Sequence, residues 1–343
     1  MRSVIAGIVG TVALAGTAAL GQQASQPKKT ATATAQRPVL SQDILHVQVI
    51  LDHLGFPPGV LDGREGQSLT AALKGFQISR QLPVTGKADQ LTLQALHQHR
   101  AIRPTRFIRL TPEMLAGPYV RPFPKDPQAQ AKLKTMGYRS ALEKLAEMFH
   151  TTPEVLIELN SPDTHLAPGV PVQFPNAIPA SRNYPADLKP EWRKTLDDLN
   201  VNAVQPKAGR IVVDKSDKVL RVFGRDGKLA AQFNVTTGST KDPLPIGSWK
   251  VRGIATNPDF HYNPKLFWDV SDKKPEALLP PGPNSPVGVV WIDLSKEHYG
   301  IHGTPEPHLI GRSESHGCIR LANWDAARLA LMVEPGTPAV FQE

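Results

Sequence analysis

A single cysteine, Cys318, occurs in the 343 residues, which excludes an internal disulfide framework and a thiolate zinc cluster. Histidine is present eleven times but never as His-Glu-x-x-His. His46, His53, His97, His99 and His150 show no ligand-like spacing, so no metal is expected. Glycine-rich phosphate loops are missing, and with them any sign of a nucleotide; no cofactor is expected. The net charge of +8 is not gathered into a basic stripe on a helix, so no nucleic-acid partner is expected. Past residue 20 no apolar run could span a bilayer. Charged residues reach only 20% against 40% hydrophobic ones, which excludes wholesale disorder.

Proline is abundant: 33 residues, roughly twice the usual share, favour short strands, turns and linkers over a helical bundle. The length fits two or three domains. Met1-Arg2-Ser3, the apolar Val4 to Leu20 and the small residues of Ala19-Leu20-Gly21 read as a cleaved signal peptide, 1–21. The mature chain is thus expected to be exported, without a stable membrane span. An exported chain with one unpaired cysteine carries an intermolecular disulfide or a reactive thiol.

Residues 22–40 form a polar linker. Ser41 is a candidate N-cap, followed by Ile44, Val47, Leu51 and Leu54 at helical spacing and by Gly55 as a stop. Leu69, Leu73 and Phe76 mark a second helix, Leu93 and Leu96 a third. With Asp62-Gly63-Arg64-Glu65-Gly66, Ala72-Leu73, Phe76-Gln77 and Leu82-Pro83-Val84-Thr85-Gly86, the segment 41–98 resembles the helical peptidoglycan-binding domain that accompanies many wall enzymes. Residues 99–134 read as a proline-rich connector. In 135–178, two helical patterns (Leu142, Leu145, Phe149; then Thr152-Pro153, Val155, Leu156, Leu159) precede Pro168-Gly169-Val170. This order resembles a LysM module, a binder of N-acetylglucosamine-containing glycans, but without a recognisable first strand. Residues 179–208 read as a linker. From 209 to 342 short β runs dominate, among them Ile211-Val212-Val213, Val219 to Phe223 and Ala231 to Val235, and one late helix carries Trp324, Ala327 and Leu331. The fold class is multidomain α+β: a mainly antiparallel, sandwich- or barrel-like β domain behind two small modules.

The chemistry concentrates in Ile301-His302-Gly303-Thr304 and Ser313-Glu314-Ser315-His316-Gly317-Cys318-Ile319-Arg320. A thiolate is the nucleophile, and an imidazole is needed to take the thiol proton. His316 sits on the same tight turn as Cys318, whereas His302 lies far enough upstream to arrive on a neighbouring strand. Together these two segments resemble the signature of L,D-transpeptidases of the YkuD type. Thr237-Gly238, Pro245-Ile246-Gly247 and Trp249-Lys250-Val251 fit the same family, and Leu279 to Gly288 resembles its substrate-covering insertion.

The resemblance implies a peptidoglycan stem tetrapeptide as acyl donor. Cys318 would attack the third-residue carbonyl and expel D-alanine; an amine on a second stem peptide, an outer-membrane lipoprotein or a free D-amino acid, or else water, would then accept the acyl group. His302 would be the base, oriented by the Gly303 carbonyl. The backbone of the turn at His316, Gly317 and Cys318 would supply oxyanion donors, Ser315 would position that loop or contact substrate, and Arg320 would bind a substrate carboxylate. Stem peptides and glycan strands are the implied partners, and the periplasm of a Gram-negative-type bacterium is the implied compartment. Three alternatives stay open: an L,D-carboxypeptidase or cross-link hydrolase using the same thiol, a non-catalytic wall-binding protein, and a cysteine peptidase of another fold.

Overall fold

The computed structural model describes residues 39–266, 270–271 and 273–343. The expected signal peptide and all but the last two residues of the 22–40 linker lie outside the described residues. Ser41 caps α1 (Gln42–His53) by accepting from the Ile44 N–H, and Gly55, at φ +86°, turns the chain out of it. Then follow α2 (Gln67–Ser79) and α3 (Gln90–His97), capped by Asp89. Leu51, Phe56, Leu73, Phe76 and Leu96 form their common core. Leu93 does not join it: α3 turns Thr92 inward instead, because the buried Gln77 amide donates to the Thr92 hydroxyl at 2.8 Å.

The segment expected as a connector holds β1 (Thr105–Arg109) and the one-turn α4 (Pro127–Gln130). After α5 (Ala141–Met148) and α6 (Pro153–Leu159), β2 (Pro171–Pro175) pairs antiparallel with β1, Thr105 opposite Pro175. β1 falls in the segment expected as a connector and is set apart from α5 by the proline-rich stretch. Ser140 and Thr152 cap the two helices, and Phe149 stacks on Phe174 with ring centroids 4.0 Å apart.

Residues 179–208 are not a loose linker. They contain α7 (Pro190–Asp198), whose Trp192 and Leu196, one turn apart, are buried in the β-domain core. Each such side chain contributes about 1.5–3 kcal/mol through burial, enough to fix a short helix.

The remaining strands are β3 (Ala208–Asp214), β4 (Val219–Gly224), β5 (Leu229–Asn234), β6 (Gly247–Thr256), β7 (Phe260–Tyr262), β8 (Ala277–Leu279), β9 (Val290–Leu294), β10 (Gly300–His302), β11 (Ile319–Arg320) and β12 (Pro338–Gln342). Eight of them form one sheet in the order β11-β10-β9-β6-β12-β3-β4-β5, antiparallel except at β10–β11 and β12–β3. The sheet curls until the chain leaving β5 meets β11: Thr236 and Arg320 exchange backbone hydrogen bonds of 3.1 and 2.9 Å. α8 (Asn323–Met332) packs behind it, with Trp324 fully buried.

The helical segment does not hang from a tether. Leu229 and Phe223 enter its core, the Gln232 N–H donates to the Gly55 carbonyl at 3.0 Å, and the Gln232 side chain donates to the Ala71 carbonyl at 2.7 Å. The open edge of β5 is thereby covered. Deeper down, Asp52 of α1 takes two parallel 2.8 Å hydrogen bonds from Arg328 of α8 and a 3.2 Å contact from His150. The proline-rich stretch straps the β7–β8 hairpin: the Met136 N–H donates to the Pro281 carbonyl and the Met136 carbonyl accepts from Asn284.

Candidate active site

Strand parity assembles the site. Ile301 lies between Ile292 and Ile319, and all three point into the core with no exposed surface. Their neighbours must face the other way. The parallel register sets His302 beside Arg320 and, one step along, Gly300 beside Cys318. His302, Cys318 and Arg320 thus share one face of adjacent strands. Strand spacing and rise put the His302 and Cys318 α-carbons roughly 8 Å apart, a span two side chains can bridge.

His302 is buried, and its Nδ1 lies 2.7 Å from the Gly303 carbonyl oxygen. A carbonyl only accepts, so Nδ1 carries the hydrogen and Nε2 keeps its lone pair. Trp291, opposite on β9, stacks on the imidazole at 5.5 Å and 19°. Burial, reinforced by the Arg320 charge, lowers His302 to about 3. Burial also raises the Cys318 thiol, although the Gly300 backbone and Arg320 both favour its thiolate. Burial thus favours the neutral form of both groups, the thiol and the imidazole. The sulfur, half-buried, reaches the His298 carbonyl at 3.9 Å.

Ser315, His316 and Gly317 form the turn that presents Cys318. Ser315 is buried and its hydroxyl donates to the Cys318 carbonyl at 2.6 Å, closing the turn. Its backbone is held by the Thr237 carbonyl and the Ser239 N–H. Gly317 sits at φ +98°, where a side chain is strained, and a Cβ there would come within 2.7 Å of the Tyr299 ring. Gly317→Ala is accordingly expected to displace the turn and lower the rate of Cys318 alkylation by iodoacetamide; an unchanged rate would refute the strain argument. Arg320 is half-buried, and its Nε has no hydrogen-bond partner among the described residues. A carboxylate would satisfy it.

Trp291, Tyr299, His298 and Gly300 escape sequence reasoning. Gly300 leaves room for Trp291, whose ring lies 2.4 Å from where a Gly300 Cβ would stand. The aromatic at the outward position of Val290-Trp291-Ile292 is the one signal that could have found it. Among the described residues no cluster of three or more His, Cys, Asp or Glu side chains could hold a metal ion.

Residues 208–341 match the YkuD family model, described as an L,D-transpeptidase catalytic domain, and residues 41–96 match a model described as "Putative peptidoglycan binding domain". The chain is 31% identical over 138 residues to "Putative L,D-transpeptidase YqjB" of Bacillus subtilis, covering 39% of this chain and 70% of that protein. It is 33% identical over 128 residues to "Putative L,D-transpeptidase YkuD" of Bacillus licheniformis, covering 37% of this chain and 62% of the relative's length. Among solved structures, an L,D-transpeptidase from Mycobacterium smegmatis is similar at a TM-score of 0.32 and 22% identity, over 39% of this chain and 58% of that one.

Proposed function

Because the chain belongs to the YkuD family of L,D-transpeptidases, we propose that it transfers peptidoglycan stem peptides through a thioester on Cys318. The carrying observation is the His302 tautomer: Nδ1–H is given to the Gly303 carbonyl, which leaves Nε2 as a proton acceptor on the strand beside the thiol. In the first step Sγ attacks the third-residue carbonyl of a tetrapeptide while its proton passes to Nε2. The oxyanion is held by N–H groups of the turn at His316, Gly317 and Cys318. Collapse breaks the peptide bond, and His302 protonates the departing D-alanine amine. In the second step His302 deprotonates an incoming amine, which displaces the thiol. Arg320 holds a stem-peptide carboxylate, and burial, reinforced by the Arg320 charge, keeps the imidazole neutral between turnovers. The bond broken supplies the energy for the bond formed, so no cofactor is required.

The acceptor amine belongs to a second stem peptide, a lipoprotein lysine or a free D-amino acid, and the compartment is the periplasm. Residues 41–98 and the β1–α5–α6–β2 module are wall-binding elements for glycan strands. Incubation with tetrapeptide muropeptides tests the function: D-alanine release with cross-linked dimers supports transfer, tripeptide alone indicates an L,D-carboxypeptidase, and no reaction refutes both.

The pH profile separates this site from an ordinary imidazole. With a base at about 3, kcat/KM for acylation should be flat from about pH 8 down to pH 5. A base near 6.5 would lose more than about tenfold over that range. Such a drop would contradict the buried, neutral His302.

A further inference from the structure

We infer that Asn323 and Glu147 together position the His302–Gly303 turn, so that α5 of the middle module completes the active site. The inference rests on His302 as the base. Asn323 is fully buried at the first turn of α8, yet it does not cap that helix; Ala322 holds the cap position without a side-chain hydrogen bond. The Asn323 side chain points across to the sheet. Its Oδ1 accepts from the Val289 N–H at 3.2 Å. A Cβ on Gly288 or Gly303 would lie only 1.9 or 2.1 Å from that oxygen, so both glycines are needed to admit it. The oxygen is therefore wedged against the backbone whose carbonyl receives the His302 Nδ1–H. Shifting Gly303 shifts the ring.

The opposite end of the amide is fixed as firmly. Nδ2 donates to Glu147 Oε1 at 2.7 Å and to the Pro283 carbonyl at 3.0 Å. A flipped amide would set an oxygen against two acceptors and an NH₂ against the Val289 N–H, leaving buried groups unsatisfied. Glu147 lies on α5 and is buried, and Pro283 belongs to the segment strapped by Met136. The orienter of the proposed base is thus held from outside the sheet that carries it.

The test uses full-length Asn323→Ala, Glu147→Ala and Glu147→Gln proteins, with three measurements: long-range ¹H–¹⁵N spectra of the His302 ring, kcat and KM with a tetrapeptide donor, and thermal unfolding. In Asn323→Ala and Glu147→Ala the single Nδ1–H tautomer should become mixed. The kcat should fall by roughly 10–100-fold, the scale of a small misplacement, with KM little changed. Glu147→Gln, which retains an acceptor for Asn323, should recover tautomer and rate. An unchanged His302 spectrum and kcat in a folded Asn323→Ala protein would overturn the inference. So would a Glu147→Gln protein no better than Glu147→Ala, a comparison that stands if Asn323→Ala fails to fold. A tautomer shift in Asn323→Ala, alongside a wild-type protein that releases no D-alanine, would support the positioning role and reject the proposed function instead.

Discussion

Cys318→Ala is expected to abolish D-alanine release from a tetrapeptide donor, a loss on the order of 10⁶-fold if the thiol is the covalent nucleophile. His302→Ala should cost less, roughly 10²–10⁴-fold, because water or buffer can partly replace a general base. The cysteine variant should unfold almost as the wild type does. Its sulfur is half-buried, and the contact to the His298 carbonyl is long at 3.9 Å. Loss of activity with a preserved unfolding transition is the pattern to look for, in a coupled D-alanine assay and a thermal melt of the same preparation. A non-catalytic wall-binding protein would show no difference in either.

Breaking the Asp52–Arg328 pair should have the largest effect on stability. Burial opposes charge on Asp52, but the Arg328 guanidinium and His150 outweigh it and hold the carboxyl far below its usual range. Asp52→Ala would leave the buried Arg328 without its paired carboxylate, at a cost of about 3–5 kcal/mol. Loosening of the helical segment from β5 should accompany it, visible as faster hydrogen exchange at Gly55 and Gln232. Because the Asp52 value is depressed in the fold, its contribution is complete above about pH 4 and is lost only as pH falls through the folded value. Asp325 works in the other direction: burial raises it to about 8, with Arg328 opposing and Asp52 assisting. The folded state keeps its proton where the unfolded state has lost it, so stability declines as pH rises from about 4 to 8. Asp325→Asn should therefore gain on the wild type across that window in pH-resolved melts. A constant difference at every pH would contradict the assignment.

The β domain was legible because β-branched runs such as Ile211-Val212-Val213 alternate with turn residues, and Cys318 and His302 because their local motifs are specific. β1 was not, since Thr-Arg-Phe-Ile-Arg exposes most of its side chains and finds its partner β2 only after a long insertion. α7 offers two apolar residues, Trp192 and Leu196, among charged ones, too few for a periodicity to register. Asp52 and Arg328 stand 276 residues apart, and nothing local announces a pair at that distance. Asn323 has no local signal of its role; its contact with the Gly303 backbone follows from tertiary packing alone.

Peptide mapping of protein quenched in acid during turnover of a tetrapeptide muropeptide addresses the central claim most directly. The account predicts a hydroxylamine-labile acyl group, the donor less D-alanine, on the peptide containing Cys318, with its accumulation slowed in His302→Ala. Donor consumption with Cys318 unmodified, or an acyl group carried by another residue, would contradict it.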